Sequence, residues 1–502
     1  MLKRYSVNKI NKISDDKEIW CWGCGFQYGQ MVKNHSKEAF VQRIQGLIDS
    51  NEEMQGSIRE IGDRRICIHA PDVILKNKGK KYLLIISSDA YEEIYKKAFE
   101  IFNGIDIVYT VYPRVYYGIS NFFQYLFSKI PLKRQLLFYV GSNGSQPKDN
   151  ADEVVRFLQE EYQGKPYCLV YLTDYPCEVP KGVKRICLSE VRSKASILKV
   201  MKYYYYYSRA KYIFFESGAA EKIRNNQKTF YLNHGTIPLK YVKDTLKQPE
   251  SLNYAVCPGP GCVRFYEEQY SVNKDKLIYM MPPRVRQIFV DESQKVDKLF
   301  ETNGMQMILW LPTFRKLERG DKSERRDSKV ESPLFELVHS DKIHDIDEIL
   351  KYHGQKLIIK CHPREKDDLI SDKMFTNIII TTDEQIEISG IKTHNLMNRA
   401  DALISDYSGV TFEYMLLDRP LGYYIPDLEE YSRGFSVDNP LSYMPGFQMK
   451  CVEDLENFFE TVKLGNDEFL NDRRKLVQTL FGETTPQKGA EELIQFLDRE
   501  ER

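Results

Sequence analysis

The sequence predicts an α/β protein of two βα-rich halves with a cleft between them, preceded by a further, smaller βα segment. Three observations lead there. At 502 residues the chain exceeds what one hydrophobic core ordinarily serves. Short apolar strands alternate with helix-like stretches along most of its length. Several strands run straight into Gly, His, Ser or Asp, where open α/β sheets place their ligands.

Composition narrows the class. Hydrophobic residues make up 42% and charged residues 29%, as in globular rather than disordered chains. Seventy-two basic residues balance 72 acidic ones, which argues against a dedicated nucleic-acid binder. The aromatic share, 13%, is Tyr-rich and suits sugar or nucleotide stacking as well as aromatic cores. Met1–Asp16 is polar and lacks the apolar stretch of a signal peptide, and no window spans a membrane, so a cytoplasmic protein is expected. The ten cysteines are scattered and read as reduced thiols. Cys21-x-x-Cys24 is a lone pair, too few ligands for a tetrahedral zinc site, and reads as structural; no metal site is expected.

The first segment, 1–112, has a nucleotide-fold rhythm. Strand Glu18–Trp22 leads into Gly23-Cys24-Gly25-Phe26-Gln27-Tyr28-Gly29, and strands follow at 45–49 and 81–87. Gly23, Gly25 and Gly29 let backbone approach a phosphate, and Asp49 is placed to take a ribose hydroxyl. The spacing G-x-G-x-x-x-G is one residue longer than the dinucleotide fingerprint. That favours a Rossmann-like module without NAD and leaves a nucleotide or sugar ligand open.

The second segment, 113–300, begins with an amphipathic stretch, Val115–Arg134. Ile119, Phe122, Phe123, Leu126, Phe127 and Ile130 share one helical face, followed by Lys129, Lys133 and Arg134. Such a face is buried in a domain contact or lies on an anionic membrane surface, the former being commoner. Strands are expected at 136–140, 167–172 and 212–215, and a helix near 151–162. Tyr203–Tyr207 reads as packing on a helix. The third segment, 301–502, opens with strand 307–311, crosses a charged loop at 317–332, and resumes α/β alternation to Ile425.

Four places carry chemistry. Strand 228–232 delivers Asn233-His234-Gly235-Thr236 into a turn, and His234 is suited to take a proton near neutrality. Strand 356–361 ends in His362-Pro363-Arg364. Leu311-Pro312-Thr313-Phe314-Arg315 offers a guanidinium to phosphate. In 401–425 a strand turns through Ser405-Asp406-Tyr407-Ser408-Gly409 into a helix whose hydroxyls and free amides form a phosphate seat.

Taken together these motifs resemble the CDP-glycerol:poly(glycerophosphate) glycerophosphotransferase family, the teichoic-acid polymerases and primases of GT-B fold. The resemblance rests on His234-Gly235-Thr236, Pro312–Arg315, His362-Pro363 and Asp406-Tyr407-Ser408. Asp149-Asn150, Pro283-Arg284, Asp427 with Tyr431, Arg433-Gly434-Phe435 and Pro445-Gly446 extend it over roughly residues 135–450. It implies a GT-B-type pair of Rossmann-like domains preceded by an additional smaller Rossmann-like domain. The chain departs from the family pattern in three places. Ile237 is inserted before Pro238-Leu239-Lys240, Gly409 replaces a serine with Thr411 nearby as a substitute hydroxyl, and Val285-Arg286 replaces Asn-Asp.

The resemblance further implies in-line displacement. An acceptor hydroxyl attacks the phosphorus of CDP-glycerol or CDP-ribitol and CMP leaves. His234 is the expected base, and His362 and Arg315 neutralise the transferring phosphate. Thr313, Asp406, Ser408, Thr411 and Lys240 are expected to hold the donor, with no obligatory cofactor or metal. The acceptor would be a lipid-linked teichoic-acid primer, a capsule or another surface polysaccharide, met at the inner membrane face through peripheral contact. The rival expectations are a sugar-nucleotide glycosyltransferase of the same fold and a non-catalytic binding subunit.

Overall fold

The computed structural model describes residues 3–4, 17–25, 28–29, 31–32, 39–61, 64–76, 82–88, 91–101, 106–109, 122–141, 149–173, 178–188, 191, 197–218, 220, 222–302, 304–313, 333–361 and 375–500. One compact unit comprises Met1–Phe122; a second comprises Phe123–Leu317 with Arg326–Arg502.

The first unit holds a seven-stranded sheet. Its spatial order is Lys3–Arg4, Asp106–Tyr109, Tyr82–Ile86, Glu18–Trp22, Ile44–Ile48, Arg64–His69, Ile58–Ile61. All neighbours are parallel except the last pair, an antiparallel ribbon. Glu18–Trp22 is central, and the chain leaves it first toward one edge and later toward the other.

The second unit contains two all-parallel sheets. One runs Lys184–Cys187, Cys168–Thr173, Lys133–Val140, Ala210–Phe215, Lys228–Tyr231, Tyr254–Cys257, Leu277–Tyr279. The other runs Ile378–Thr381, Gln355–Lys360, Gln306–Trp310, Ala402–Ser405, Leu421–Tyr424, Phe447–Met449. Parallel strands are covered on both faces, which is why runs such as Met307–Trp310 and Leu357–Ile359 are apolar without alternation and fully buried.

One expectation is corrected. The helix expected over 115–134 is described only at 122–128, and Lys133 and Arg134 already belong to a strand. Pro131 accounts for the stop, since it lacks the amide a continuing helix needs. The expected face is also divided: Phe123 and Phe127 are buried, whereas Phe122 and Leu126 are exposed. A separate finding concerns the end of the segment 301–502. The final helix, Gly489–Glu500, returns to the sheet of 133–279, placing Ala490, Leu493, Ile494 and Leu497 in that core. Gly489 permits the return, because a β-carbon there would stand 2.2 Å from the Met281 carbonyl. The charged loop at 317–332 lies outside the described residues.

Candidate active site

His234 stands just past the strand Lys228–Tyr231, whose continuation Leu232 is completely buried. The turn is made by Asn233, which is left-handed (φ 64°), a conformation asparagine tolerates better than most residues. Its Oδ1 accepts the amides of His234 (2.7 Å) and Gly235 (3.3 Å), and its Nδ2 donates to the Tyr266 hydroxyl (3.1 Å). Asn150 Nδ2 donates to the Asn233 carbonyl (2.9 Å), so the turn is held from three sides.

The His234 side chain is 64% exposed, and its Nδ1 lies 3.7 Å from Asp149 Oδ2. Asp149 is itself left-handed (φ 56°) at the start of the helix Asn150–Glu160. The protein mass behind the ring and the positive charge of Arg284 hold the imidazole below its ordinary pKa, and Asp149 and Glu413 pull the other way. The ring is therefore neutral near pH 7, the state a general base requires.

Beneath it, Glu216 follows the strand Ala210–Phe215 and is buried. Its Oε1 accepts from the Tyr139 hydroxyl and from the Asn150 amide (3.2 Å). Burial, and then the neighbouring Asp149, push this carboxyl up to about 8, so it carries a proton at neutral pH. Ligand atoms of Asp149, Glu216 and His234 lie within 4.8 Å of one another, a spacing a divalent cation also accepts.

A buried ion cluster joins the two sheets of this unit. Arg284 pairs with Glu413, and His394 Nε2 lies 3.1 Å from the same carboxylate. Burial pushes Glu413 up, but Arg284 and His394 outweigh it and hold the carboxyl below its ordinary range. The Arg284 amide donates to Asn150 Oδ1 (3.1 Å), linking this cluster to the turn that carries His234.

At the strand ends of the second sheet, Asp406 accepts the Thr313 amide (2.9 Å) and the Thr313 hydroxyl. Lys240 Nζ lies 3.3 Å from Thr313 Oγ1, so the lysine reaches this group despite the inserted Ile237. The segment 236–241 is seated on the other sheet's loops. Ser436 N–H donates to the Leu239 carbonyl (2.9 Å) and Arg433 Nε to that of Tyr241 (2.8 Å). Ser408 is partly exposed; Thr411 is buried, and its hydroxyl donates to the Ser408 carbonyl (2.8 Å). Thr411 thus braces the first helical turn.

His362 and Arg315 lie outside the described residues. In the first unit, Gly23 turns the chain after Glu18–Trp22, but Asp49 accepts the Cys24 amide (2.8 Å) on one oxygen and the Asn51 amide (3.0 Å) on the other. Its carboxylate closes that turn. Cys21 and Cys24 are buried free thiols whose burial raises their pKa, as suits structural cysteines. Sequence reasoning missed Glu216, Glu413 and His394. Glu216 bore one signal, an acid immediately after an apolar strand; Glu413 sat unremarked within the motif-bearing run 401–425.

Two parallel α/β domains whose strand ends share one polar site are the GT-B arrangement. Residues 122–497 match the family described as CDP-glycerol:poly(glycerophosphate) glycerophosphotransferase, and the chain belongs to it. Similar curated proteins include the teichoic acid glycerol-phosphate primase of Bacillus subtilis, 25% identical over 44% of this chain and 52% of that protein. The teichoic acid ribitol-phosphate primase of Bacillus spizizenii is 27% identical over 42% and 50%. The teichoic acid poly(glycerol phosphate) polymerase of Staphylococcus epidermidis is 22% identical over 95% and 58%. The chain thus spans little more than half the length of these relatives. The solved wall teichoic acid polymerase TagF shares the fold, with a TM-score of 0.56 and 16% identity over 77% of this chain and 95% of that one.

Proposed function

We propose that the chain transfers a polyol phosphate, glycerol phosphate or ribitol phosphate, from a CDP-activated donor to a hydroxyl of a teichoic-acid-type or other surface-glycan acceptor. The observation that carries this is His234, neutral and open on a turn whose following residues Thr236 and Lys240 meet Gly409 and Thr313 of the second sheet's loops, in a chain of the glycerophosphotransferase family.

In this reading the acceptor oxygen attacks the phosphorus bearing the polyol. A new P–O bond forms as the bond to CMP breaks, and the acceptor proton passes to His234. Asp149 beside Nδ1 favours the imidazolium that results; at 3.7 Å the contact is longer than a hydrogen bond, as is common before substrate binds. Lys240 and, by family resemblance, Arg315 and His362 neutralise phosphate charge, while Asp406 fixes Thr313 and Ser408 lines the donor side. Positioning and electrostatics supply most of the catalysis in phosphoryl transfer. His234, with Asp149 and Glu216, serves as the proton-transfer group, and no metal is required.

The acceptor is proposed to be reached at a membrane surface. No helix among the described residues is long and apolar enough to cross a membrane. The helices 122–128 and Ile197–Arg209 meet at Phe127 and Tyr205 (5.4 Å). They expose Tyr125, Leu126, Ile197, Leu198 and Met201, with Lys129, Lys133 and Lys202 at the surface. Apolar and basic groups together suit an anionic lipid face.

The test is CMP release from CDP-glycerol and CDP-ribitol, beside UDP-sugars, with membrane extract as acceptor and with a chelator added. CMP from one CDP-polyol, lost in His234→Ala and retained with chelator, supports the reading. Turnover of UDP-sugars alone assigns a glycosyltransferase. Loss with chelator and return with magnesium assigns the Asp149–Glu216–His234 group to a cation.

A further inference from the structure

The first unit carries a second site that the transfer reaction does not use. Glu18–Trp22 lies between Tyr82–Ile86 and Ile44–Ile48, the point where strand order reverses and where open parallel sheets leave a crevice at their carboxyl ends. Gly23 (φ 99°) turns the chain there, and a β-carbon on it would stand 2.9 Å from the Ser87 carbonyl. Beyond Gly23, no described residue lies within 4 Å of where a β-carbon would stand on Gly25 or Gly29. The space before them, toward Met54, Arg59 and Glu60 rather than toward Tyr82–Ile86, is an open cavity of about 610 Å³, within the range of small-molecule sites.

Its walls hold unspent polar groups. Arg59 lines it, and among the described residues no carboxylate pairs with this guanidinium; its side-chain contacts are Met54 sulfur at 3.8 Å and the Ile58 carbonyl at 3.5 Å. Tyr28 also lines the cavity and is 3% exposed, and among the described residues its hydroxyl has no hydrogen-bond partner. Burial keeps that phenol protonated, hence a donor. A buried donor without a partner is costly unless something fills the role. Glu60 adds an acceptor, while Val32 and Met54 supply apolar wall. Asp49 faces its own turn and takes no part.

We propose that this cavity binds a nucleoside phosphate. Arg59 takes the phosphate, Glu60 a ribose hydroxyl, and Val32 and Met54 the flat face of the base, with the open edges of Gly25 and Gly29 admitting the ligand close to backbone.

The experiment uses the full chain and azido analogues of ADP, UDP and CDP, with labelled peptides mapped after illumination. The expected result is saturable label within residues 17–61 from at least one analogue, reduced about tenfold or more in Arg59→Glu and in Gly29→Val. Arg59→Ala, on a partly exposed edge strand, serves as the mild variant, with circular dichroism confirming folding and CMP release expected to be unchanged. Absence of label from 17–61 with all three analogues overturns the proposal. So does label that Arg59→Glu and Arg59→Ala leave undiminished. CMP release is read separately, so failure here does not bear on the transfer reaction.

Discussion

The carbonyl oxygen of Ile237 lies 2.8 Å from the position a β-carbon would occupy on Gly409. Thr236 Oγ1 also donates to the Gly409 carbonyl (3.3 Å). Along the sequence, Ile237 and Gly409 read as two departures from the resemblance's pattern, one as an insertion and the other as a glycine in place of serine. Their contact makes them one change: the inserted residue fills space the serine side chain would need. Gly409 has φ −63°, so close approach, not backbone conformation, demands glycine.

Gly409→Ser is therefore expected to destabilise the chain by about 1–3 kcal/mol through overpacking. Deleting Ile237 in the same chain should recover part of that loss. Denaturant unfolding of both single variants and the double variant checks this; strict additivity would separate the two residues.

His234→Ala should lower kcat by about 10²–10⁴-fold, the usual contribution of a positioned base. Because the ring is held below its ordinary value of 6.5, the acid limb of kcat/KM should fall below pH 6.5. Asp149 raises that pKa, so Asp149→Asn should move the limb to still lower pH while reducing the rate. A pH–rate series on both proteins measures it; a limb unmoved by Asp149→Asn would detach the aspartate from the base.

Glu216 gives a stability signature of opposite sense. Its folded-state pKa of about 8 lies above the ordinary 4.5, so the folded chain holds a proton the unfolded chain releases. That contribution is complete below pH 4.5 and is lost as pH rises through 8. Glu216→Gln, permanently neutral, should gain in melting temperature relative to wild type as pH goes from 6 to 9. Melting curves across that range, parallel for both proteins, would contradict a protonated Glu216.

Arg284→Ala leaves Glu413 buried with His394 as its remaining partner. Removing one member of a buried pair costs about 3–5 kcal/mol, whereas replacing both by apolar residues is often near neutral. Arg284→Met with Glu413→Leu should thus be more stable than Arg284→Ala alone, which chemical denaturation will show.

Leu126→Glu and Leu198→Glu place charge on exposed apolar positions. Each is expected to reduce sedimentation with phosphatidylglycerol vesicles while leaving CMP release from a soluble acceptor intact. Salt should weaken wild-type binding by screening Lys129, Lys133 and Lys202. Equal binding to phosphatidylcholine vesicles at all salt concentrations would remove the electrostatic part.

The sequence by itself determined the succession of strands, the turns at Gly23 and His234-Gly235, and the order of motifs that marks the family. These are local properties: an apolar run a few residues long, a glycine, a proline such as Pro312 at a strand's end. It brought out His234, Thr313 and Asp406 as candidates for the same reason, since each lies within three residues of an apolar strand's end. Tertiary structure alone decided the rest. Arg284 meets Glu413 across 129 positions, Lys240 meets Thr313 across 73, and Tyr139 meets Glu216 across 77. Whether Glu216 keeps its proton, or His234 stays neutral, depends on burial and on charges these distant residues contribute. Ile237 and Gly409 show the same thing sterically: each looked like a separate deviation along the chain, and only folding brought the inserted carbonyl to where a side chain would have stood.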